Sequence, residues 1–214
     1  MEKIRFDNVI PNVFAHRNDI FSDIWLKEVE FVKGQKYLIE ANSGTGKSSL
    51  GSFIFGYRDD YDGTITFDNV DIHSFTKKKW CDLRRKQIAF LWQELRLFPE
   101  LTALENVTIK NQITGEQRKK VILEWFDMLG IGDKTQSLVG KMSYGQQQRV
   151  ALIRALCQPY DFIFVDEPVS HLDDSNADLI GQLLAMEAER NGAGIIVTSI
   201  GKRMHMNYDK IFRL

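Results

Sequence analysis

The sequence predicts an α/β fold: a core with a mainly parallel sheet, an antiparallel β subdomain and an inserted helical subdomain. Two short apolar runs, at residues 162–165 and 195–197, are typical of parallel strands that are buried on both faces. Residues 102–158 have a mostly helical pattern. We therefore expect one domain over residues 1–214, with the helical subdomain at about 95–155.

The first third of the chain has β character. Segments 63–67 and 70–72 flank Asp68-Asn69, a good turn pair for a hairpin. The remaining candidate strands lie at 3–6, 24–31 and 36–40, with Lys33-Gly34 as a turn, and at 210–214 near the end of the chain. We expect the N-terminal strands and the hairpin to form the antiparallel subdomain.

Composition narrows the class of protein. The 214 residues include 28 basic and 29 acidic side chains, which is not the charge balance of a nucleic-acid-binding protein. Hydrophobic residues make up 43%, so a packed core is expected. No apolar run is long enough to span a bilayer and residues 1–6 lack a signal-peptide core, so we expect a cytoplasmic protein. Cys81 and Cys157 match no metal or redox motif and are expected to be packing residues.

A phosphate-binding loop is indicated where the strand 37–40 runs into a glycine-bearing segment and then a helix. We expect Lys47 to contact the β and γ phosphates of a nucleotide and the Ser48 hydroxyl to ligate Mg²⁺. Ala41 replaces the first glycine of the usual pattern, which requires a negative φ there. The predicted nucleotide-binding residues are Asn42, Ser43, Gly44, Thr45, Gly46, Lys47, Ser48 and Ser49.

Two carboxylates, Asp166 and Glu167, end the apolar strand 162–165. Ligands of open α/β sheets bind at the carboxyl ends of the strands, so both should lie beside the phosphate loop. Asp166 is suited to the Mg²⁺ shell, and Glu167 to activation of an attacking water. The sequence therefore predicts nucleotide hydrolysis.

Residues 141–156 resemble the signature motif of ATP-binding cassette (ABC) ATPases, with Tyr144 in place of the usual first glycine. Ser143 lies 23 residues before Asp166, as it does in that family. Locally, Ser143 and Gln146 also form a capping box that opens a helix. The resemblance implies that Ser143, Gly145 and Gln146 contact ATP held by a second cassette.

Further motifs carry the resemblance over nearly the whole chain. Gln93 matches the Q-loop glutamine, which implies a catalytic role and a place near the metal, and residues 170–173 match the D-loop, which places Asp173 at a dimer seam. Phe14 is the preferred aromatic for stacking on adenine, with Phe21 as the alternative. Residues 98–107 look like the corresponding stretch of lipoprotein-releasing, macrolide-export and cell-division cassettes.

The resemblance implies that two cassettes, expected to be a homodimer, bind two ATP molecules with Mg²⁺ between them. Hydrolysis would drive a separate membrane permease, with the chain on the inner face of the cell membrane and no nucleic acid bound. The alternative is an ATP-gated signalling module that acts through a membrane partner with little hydrolysis and no cargo.

One residue departs from the family pattern. Ser199 follows strand 194–198 where the family has a histidine that contacts the γ-phosphate. Serine has a shorter reach and no cationic form, so weak ATPase activity is expected. His171, in the D-loop, is a weaker candidate to take the catalytic role of that histidine.

Two surface segments remain open to interpretation. Residues 77–86 carry six basic side chains, either as a solvated helix face or as a contact for anionic lipid or an acidic loop. Residues 95–101 either pack in the core or border the groove that receives a permease helix in the family.

Overall fold

The computed structural model describes residues 1–17, 20–115, 117–170 and 172–214. Within these ranges the strands are β1 (Lys3–Pro11), β2 (Glu28–Val32), β3 (Lys36–Glu40), β4 (Tyr61–Phe67), β5 (Val70–Asp71), β6 (Ile88–Leu91), β7 (Phe162–Asp166), β8 (Gly194–Ser199) and β9 (Lys210–Arg213). The α-helices are α1 (Lys47–Ile54), α2 (Lys77–Lys86), α3 (Ala103–Thr114), α4 (Lys119–Met128), α5 (Tyr144–Leu156) and α6 (Asp174–Asn191).

The parallel sheet has the order β6-β7-β8-β3-β9, and all of its neighbouring strands are parallel. Every residue of β7 and of β8 is buried, as expected for strands covered on both faces. β3 lies between β8 and β9 in this sheet, and α1 is the next helix in the chain. The sheet therefore brings the ends of β3, β7 and β8 to the same edge.

The antiparallel sheet has the order β2-β1-β4-β5, which confirms the predicted β subdomain. Asp68 and Asn69 both have positive φ, 48° and 68°, as a tight hairpin turn requires. The expected strand at 24–31 is wrong in its first half, because β2 begins only at Glu28. Leu26 has a φ of 58°, so the chain turns there and cannot continue an extended strand.

Along the chain, helices α3, α4 and α5 come between β6 and β7, and they share one hydrophobic cluster with the parallel sheet. Trp125 on α4 is fully buried, and its Nε1 donates to Glu187 of α6 at 3.0 Å. Thr102 caps α3 by accepting from the backbone N–H of Glu105. The mostly helical segment predicted from the sequence is therefore present, while its limits as a subdomain stay a prediction.

Both cysteines are free thiols, but only one is a packing residue. Cys157 lies in the core, where burial raises the pKa of its thiol to about 12. Cys81 is exposed on α2, so the expectation that it packs is wrong. Among the described residues, no helix is both long and apolar enough to cross a membrane.

Candidate nucleotide site

The phosphate loop leaves its backbone amides open. Gly44 and Gly46 have φ of 80° and 103°, a region that glycine adopts without strain. Gly46 is the N-cap of α1, and no side chain caps the first turn of that helix. The first backbone N–H groups of α1 are therefore available to an anion, and the helix dipole favours negative charge there.

Aromatic rings support this loop from behind. A Cβ on Gly46 would lie 2.9 Å from the Phe14 ring and 3.0 Å from the Trp25 ring. The Trp25 indole N–H donates to the Thr45 carbonyl at 2.9 Å. The sequence places Trp25 in a candidate strand, and nothing in its local pattern indicates this contact.

Residues at the two ends of the loop are held differently. Ala41 lacks a positive φ, so the backbone condition for a methyl group at this position is confirmed. The Ala41 N–H donates to the Ser199 carbonyl at 3.0 Å. Ser48 is exposed in the first turn of α1. Ser49 is buried, and its hydroxyl accepts from Arg58 at 2.9 Å. Ser48 is therefore the more accessible hydroxyl for a ligand.

The two carboxylates at the end of β7 reach the phosphate loop. Lys47 Nζ lies 2.9 Å from Glu167 Oε1, and both side chains are at most 10% exposed. Thr198 of β8 donates to Asp166 Oδ1 at 2.6 Å and accepts from the Glu167 N–H at 3.2 Å. Burial raises the pKa of Asp166, while the Thr198 hydrogen bond and Lys47 oppose that shift. Three segments that are distant in sequence thus form one buried polar cluster.

The Lys47 ammonium group can pair with either of two anions, the Glu167 carboxylate or a phosphate group. Lys47 now satisfies Glu167, a buried carboxylate that would otherwise be costly to leave unpaired. A phosphate group on the open loop would compete for the same ammonium group. Transfer of Lys47 to the phosphate would leave the Glu167 carboxylate able to accept a proton from water.

Gln93 is exposed just after β6 and contacts the signature motif of its own chain. The Tyr144 hydroxyl donates to the Gln93 carbonyl at 2.9 Å. Arg154 on α5 also donates to the carbonyls of Leu95 and Arg96. Helix α5 therefore holds the Q-loop backbone at several points. The contact of the Tyr144 hydroxyl with Gln93 shows how a bulky residue is accommodated where the family has glycine.

The signature residues lie at the beginning of α5. Ser143 caps the helix by accepting from the Gln146 N–H at 3.3 Å, and Gln146 accepts from the Ser143 N–H at 3.0 Å. Accepting this bond leaves the Ser143 O–H able to donate to another group. A Cβ on Gly145 would lie 2.7 Å from Leu172, so glycine allows the D-loop to pack closely.

Asp173 is exposed and caps α6 by accepting from the Asn176 N–H at 2.9 Å. The hydrogen bonds from Asn176 and Ser175 lower the pKa of Asp173 to about 2. Ser143 is exposed as well, and neither residue is among those gathered around Lys47. Two of the predicted dimer residues are therefore accessible to a second chain.

The Ser199 hydroxyl is bonded to the turn that follows β8 and not to the phosphate loop. The side chain is 4% exposed, and its O–H donates to the Lys202 carbonyl. Lys202 in turn donates to the Leu172 carbonyl at 2.5 Å and pairs with Asp174 at 2.9 Å. The predicted catalytic role of Ser199 stays a prediction, and His171 lies outside the described residues.

A cavity of about 170 Å³ adjoins the phosphate loop at Asn42 and Thr45. Phe14, Phe21 and Trp25 contribute to its walls. Phe14 is 9% exposed with the Arg17 guanidinium 5.5 Å from its ring centre, whereas Phe21 is 93% exposed. The two aromatic candidates for adenine thus line the same cavity.

Comparison with known proteins identifies the family. Residues 27–170 match the protein family described as ABC transporter. This match covers more than half of the chain, so the protein belongs to the ABC transporter family as its ATP-binding ATPase domain.

The relatives agree with this assignment. The ABC transporter ATP-binding protein YbbA of Escherichia coli K12 is 32% identical over 197 residues, which cover 88% of this chain and 85% of YbbA. The lipoprotein-releasing system ATP-binding protein LolD of Shewanella frigidimarina is 28% identical over 181 residues, covering 83% and 76% of the two chains. These relatives favour the transport ATPase over the signalling alternative.

A solved structure of similar fold is the dimeric ATP-binding cassette MJ0796 in a post-hydrolysis state with ADP and phosphate. It has a TM-score of 0.76 and 27% identity, and the similarity covers 92% of this chain and 87% of that one. The predicted fold class, an α/β core with an antiparallel subdomain and inserted helices, is therefore confirmed.

Proposed function

We propose that this chain is the ATP-hydrolysing subunit of an ABC transporter, which dimerises on ATP and drives a separate membrane permease. The observation that carries the proposal is the 2.9 Å ion pair between Lys47 and Glu167. It brings the phosphate-binding lysine and the candidate general base into one buried cluster. Family membership supports ATP as the nucleotide.

Mg²⁺ fits the residues at this site. The Ser48 hydroxyl is exposed in the first turn of α1, and Asp166 is a desolvated carboxylate whose pKa is raised by burial. Hard oxygen donors and a buried negative charge suit this cation. Ser48, Asp166 and the Gln93 side chain would hold it, and it would offset the charge of the β and γ phosphates when bound.

The chain's own residues divide the remaining work. The amides of the loop and of the first turn of α1, at residues 42–49, bind and orient the phosphates. Lys47 leaves Glu167 for the phosphate oxygens, and Glu167 then takes a proton from the attacking water. Gln93 orients the same water from the Q-loop, which Tyr144 and Arg154 hold in place.

A second copy of the chain completes the site. Ser143, Gly145 and Gln146 begin α5, where the helix N-terminus attracts an anion. Ser143 and Asp173 are exposed and can face the ATP and the phosphate loop of a partner. A head-to-tail homodimer with two-fold symmetry satisfies both sites at once. Phe14 provides the adenine platform beside the phosphate loop.

The groove around the Q-loop supports a permease partner. A cavity of about 350 Å³ is lined by aromatic and aliphatic side chains that include Tyr57, Trp92, Phe98, Ile109 and Ile113. Phe98 is 51% exposed and so is not a core residue, whereas Leu95 is 4% exposed and is one. An apolar groove of this size suits an amphipathic helix. Its occupant would place the chain on the inner face of the cell membrane.

The test combines turnover with partner recovery. Phosphate release from ATP is measured for the parent, Lys47→Ala, Glu167→Gln and the control Lys27→Ala, alone and after co-purification from membranes. We expect weak parent activity, because Ser199 replaces the histidine, and none from the first two variants. A Lys47→Ala protein that releases phosphate like the parent, or recovery without any membrane subunit, would contradict the proposal.

A further inference from the structure

Helix α2 concentrates positive charge that the proposed function leaves unused. It carries six basic residues and one acidic one, so the remainder of the chain has 22 basic and 28 acidic side chains. We refer to its exposed basic residues as the basic face of α2: Lys77, Lys78, Lys79, Arg85 and Lys86. The molecule is therefore electrically polarised although its net charge is only -1.

Helix formation does not account for the three lysines at the start of the basic face. Lys77, Lys78 and Lys79 occupy the first turn of α2, where the positive end of the helix dipole disfavours cations, and no acidic residue lies in that turn. None of the five side chains forms an ion pair with a carboxylate in the described part of the chain. The three lysines of the first turn are unfavourable for the isolated helix, whereas Arg85 and Lys86 lie in the last turn, where the dipole favours cations.

The position of α2 relates the basic face to the groove. The Arg84 guanidinium donates to the carbonyls of Phe55 and Gly56, at 2.8 and 2.7 Å, and Phe55 lines the groove. Arg85 donates to the carbonyl of Ile113, another lining residue, at 2.9 Å. Helix α2 is thus anchored to the rim of the groove proposed for the permease.

The basic face has the character of a diffuse electrostatic contact. The apolar side chains of α2 point inward, because Leu83 is 3% exposed and Trp80 packs against Gly56. A specific protein contact needs a buried apolar or aromatic anchor, and this face offers none. An anionic lipid surface needs only accessible positive charge within a Debye length.

We propose that the basic face of α2 binds anionic phospholipid headgroups beside the permease. This rests on the proposed function, since a membrane subunit in the groove would bring α2 close to the bilayer. The negative charge on the rest of the chain strengthens the effect, because an anionic surface repels it and attracts α2. The contact thereby orients the groove toward the membrane.

The test measures vesicle binding apart from ATP chemistry. The full chain is sedimented with phosphatidylglycerol vesicles and with phosphatidylcholine vesicles at low and high salt. We expect binding only to phosphatidylglycerol, and weaker binding at high salt. Each lysine near an anionic surface contributes about fivefold in affinity, so Lys77→Gln/Lys78→Gln/Lys79→Gln should bind on the order of 100-fold more weakly.

The matched control is Lys27→Gln/Lys119→Gln/Lys120→Gln, which removes the same charge from exposed sites away from α2. It should bind vesicles like the parent, and both triple variants should bind ATP like the parent. A parent that does not bind phosphatidylglycerol, or equal loss in the two triple variants, would overturn the proposal. A parent protein that does not bind ATP would instead count against the proposed function.

Discussion

The Lys47–Glu167 ion pair predicts that Glu167→Gln changes more than hydrolysis. Both side chains are at most 10% exposed. Removing one partner of a buried pair typically costs about 3–5 kcal/mol, but glutamine keeps an oxygen that can accept from Lys47. We therefore expect the free energy of unfolding to fall by about 1–3 kcal/mol. At about 2–4 °C per kcal/mol for a domain of this size, Tm should fall by roughly 2–12 °C.

ATP affinity should change in the opposite direction. The neutral glutamine competes less strongly than the carboxylate with the phosphates for Lys47, and a difference of about 1.4 kcal/mol corresponds to tenfold in Kd. Titration calorimetry in a Ser143→Arg background, where dimerisation is blocked, should therefore show roughly tenfold tighter ATP binding. Glu189→Gln, which alters an exposed carboxylate near the end of α6, is the control and should change neither quantity. An unchanged Tm together with unchanged ATP affinity in Glu167→Gln would refute the ion-pair reasoning.

Three further variants test separate parts of the site. Because burial raises the folded-state pKa of Asp166 above its unfolded value, its ionisation destabilises the fold above that pKa. Asp166→Asn should therefore raise Tm above neutral pH, with little gain at acidic pH, while reducing Mg²⁺-dependent turnover; a lowered Tm at both pH values would contradict this. Ser199→His should raise the single-turnover hydrolysis rate by up to about 10²-fold, and a brisk parent with no gain would show that the histidine is not needed. Phe98→Asp should weaken recovery of the membrane subunit by about tenfold or more without changing ATP affinity, unlike Met186→Asp on α6. Equal loss of recovery and ATP affinity would refute it.

Local sequence was sufficient to predict the elements that position the site. The apolar strand, glycine loop and helix at residues 37–55 predicted β3, the phosphate loop and α1. The apolar runs that became β7 and β8 predicted parallel strands, and Asp166 and Glu167 follow from the end of β7. These features depend on short-range periodicity and turn chemistry, which a single sequence displays directly.

Contacts between distant segments could not be predicted in this way. The indole of Trp25 donates to the Thr45 carbonyl from a segment where Leu26 adopts a positive φ and the expected strand has not yet begun. The Ser199 hydroxyl is engaged by Lys202, three residues later, in a turn that carries no sequence signature. The ion pair of Lys47 and Glu167 joins residues 120 positions apart, so it depends on strand order.

The central claim is that ATP joins two copies of this chain through the phosphate loop of one and the signature motif of the other. The most direct measurement is the molar mass of Glu167→Gln in solution, with and without ATP and Mg²⁺. We predict one chain without nucleotide, two chains with ATP and Mg²⁺, and one chain again when Ser143→Arg is added. A Glu167→Gln protein that binds ATP yet stays monomeric at high concentration, or a dimer that persists with Ser143→Arg, would contradict the claim.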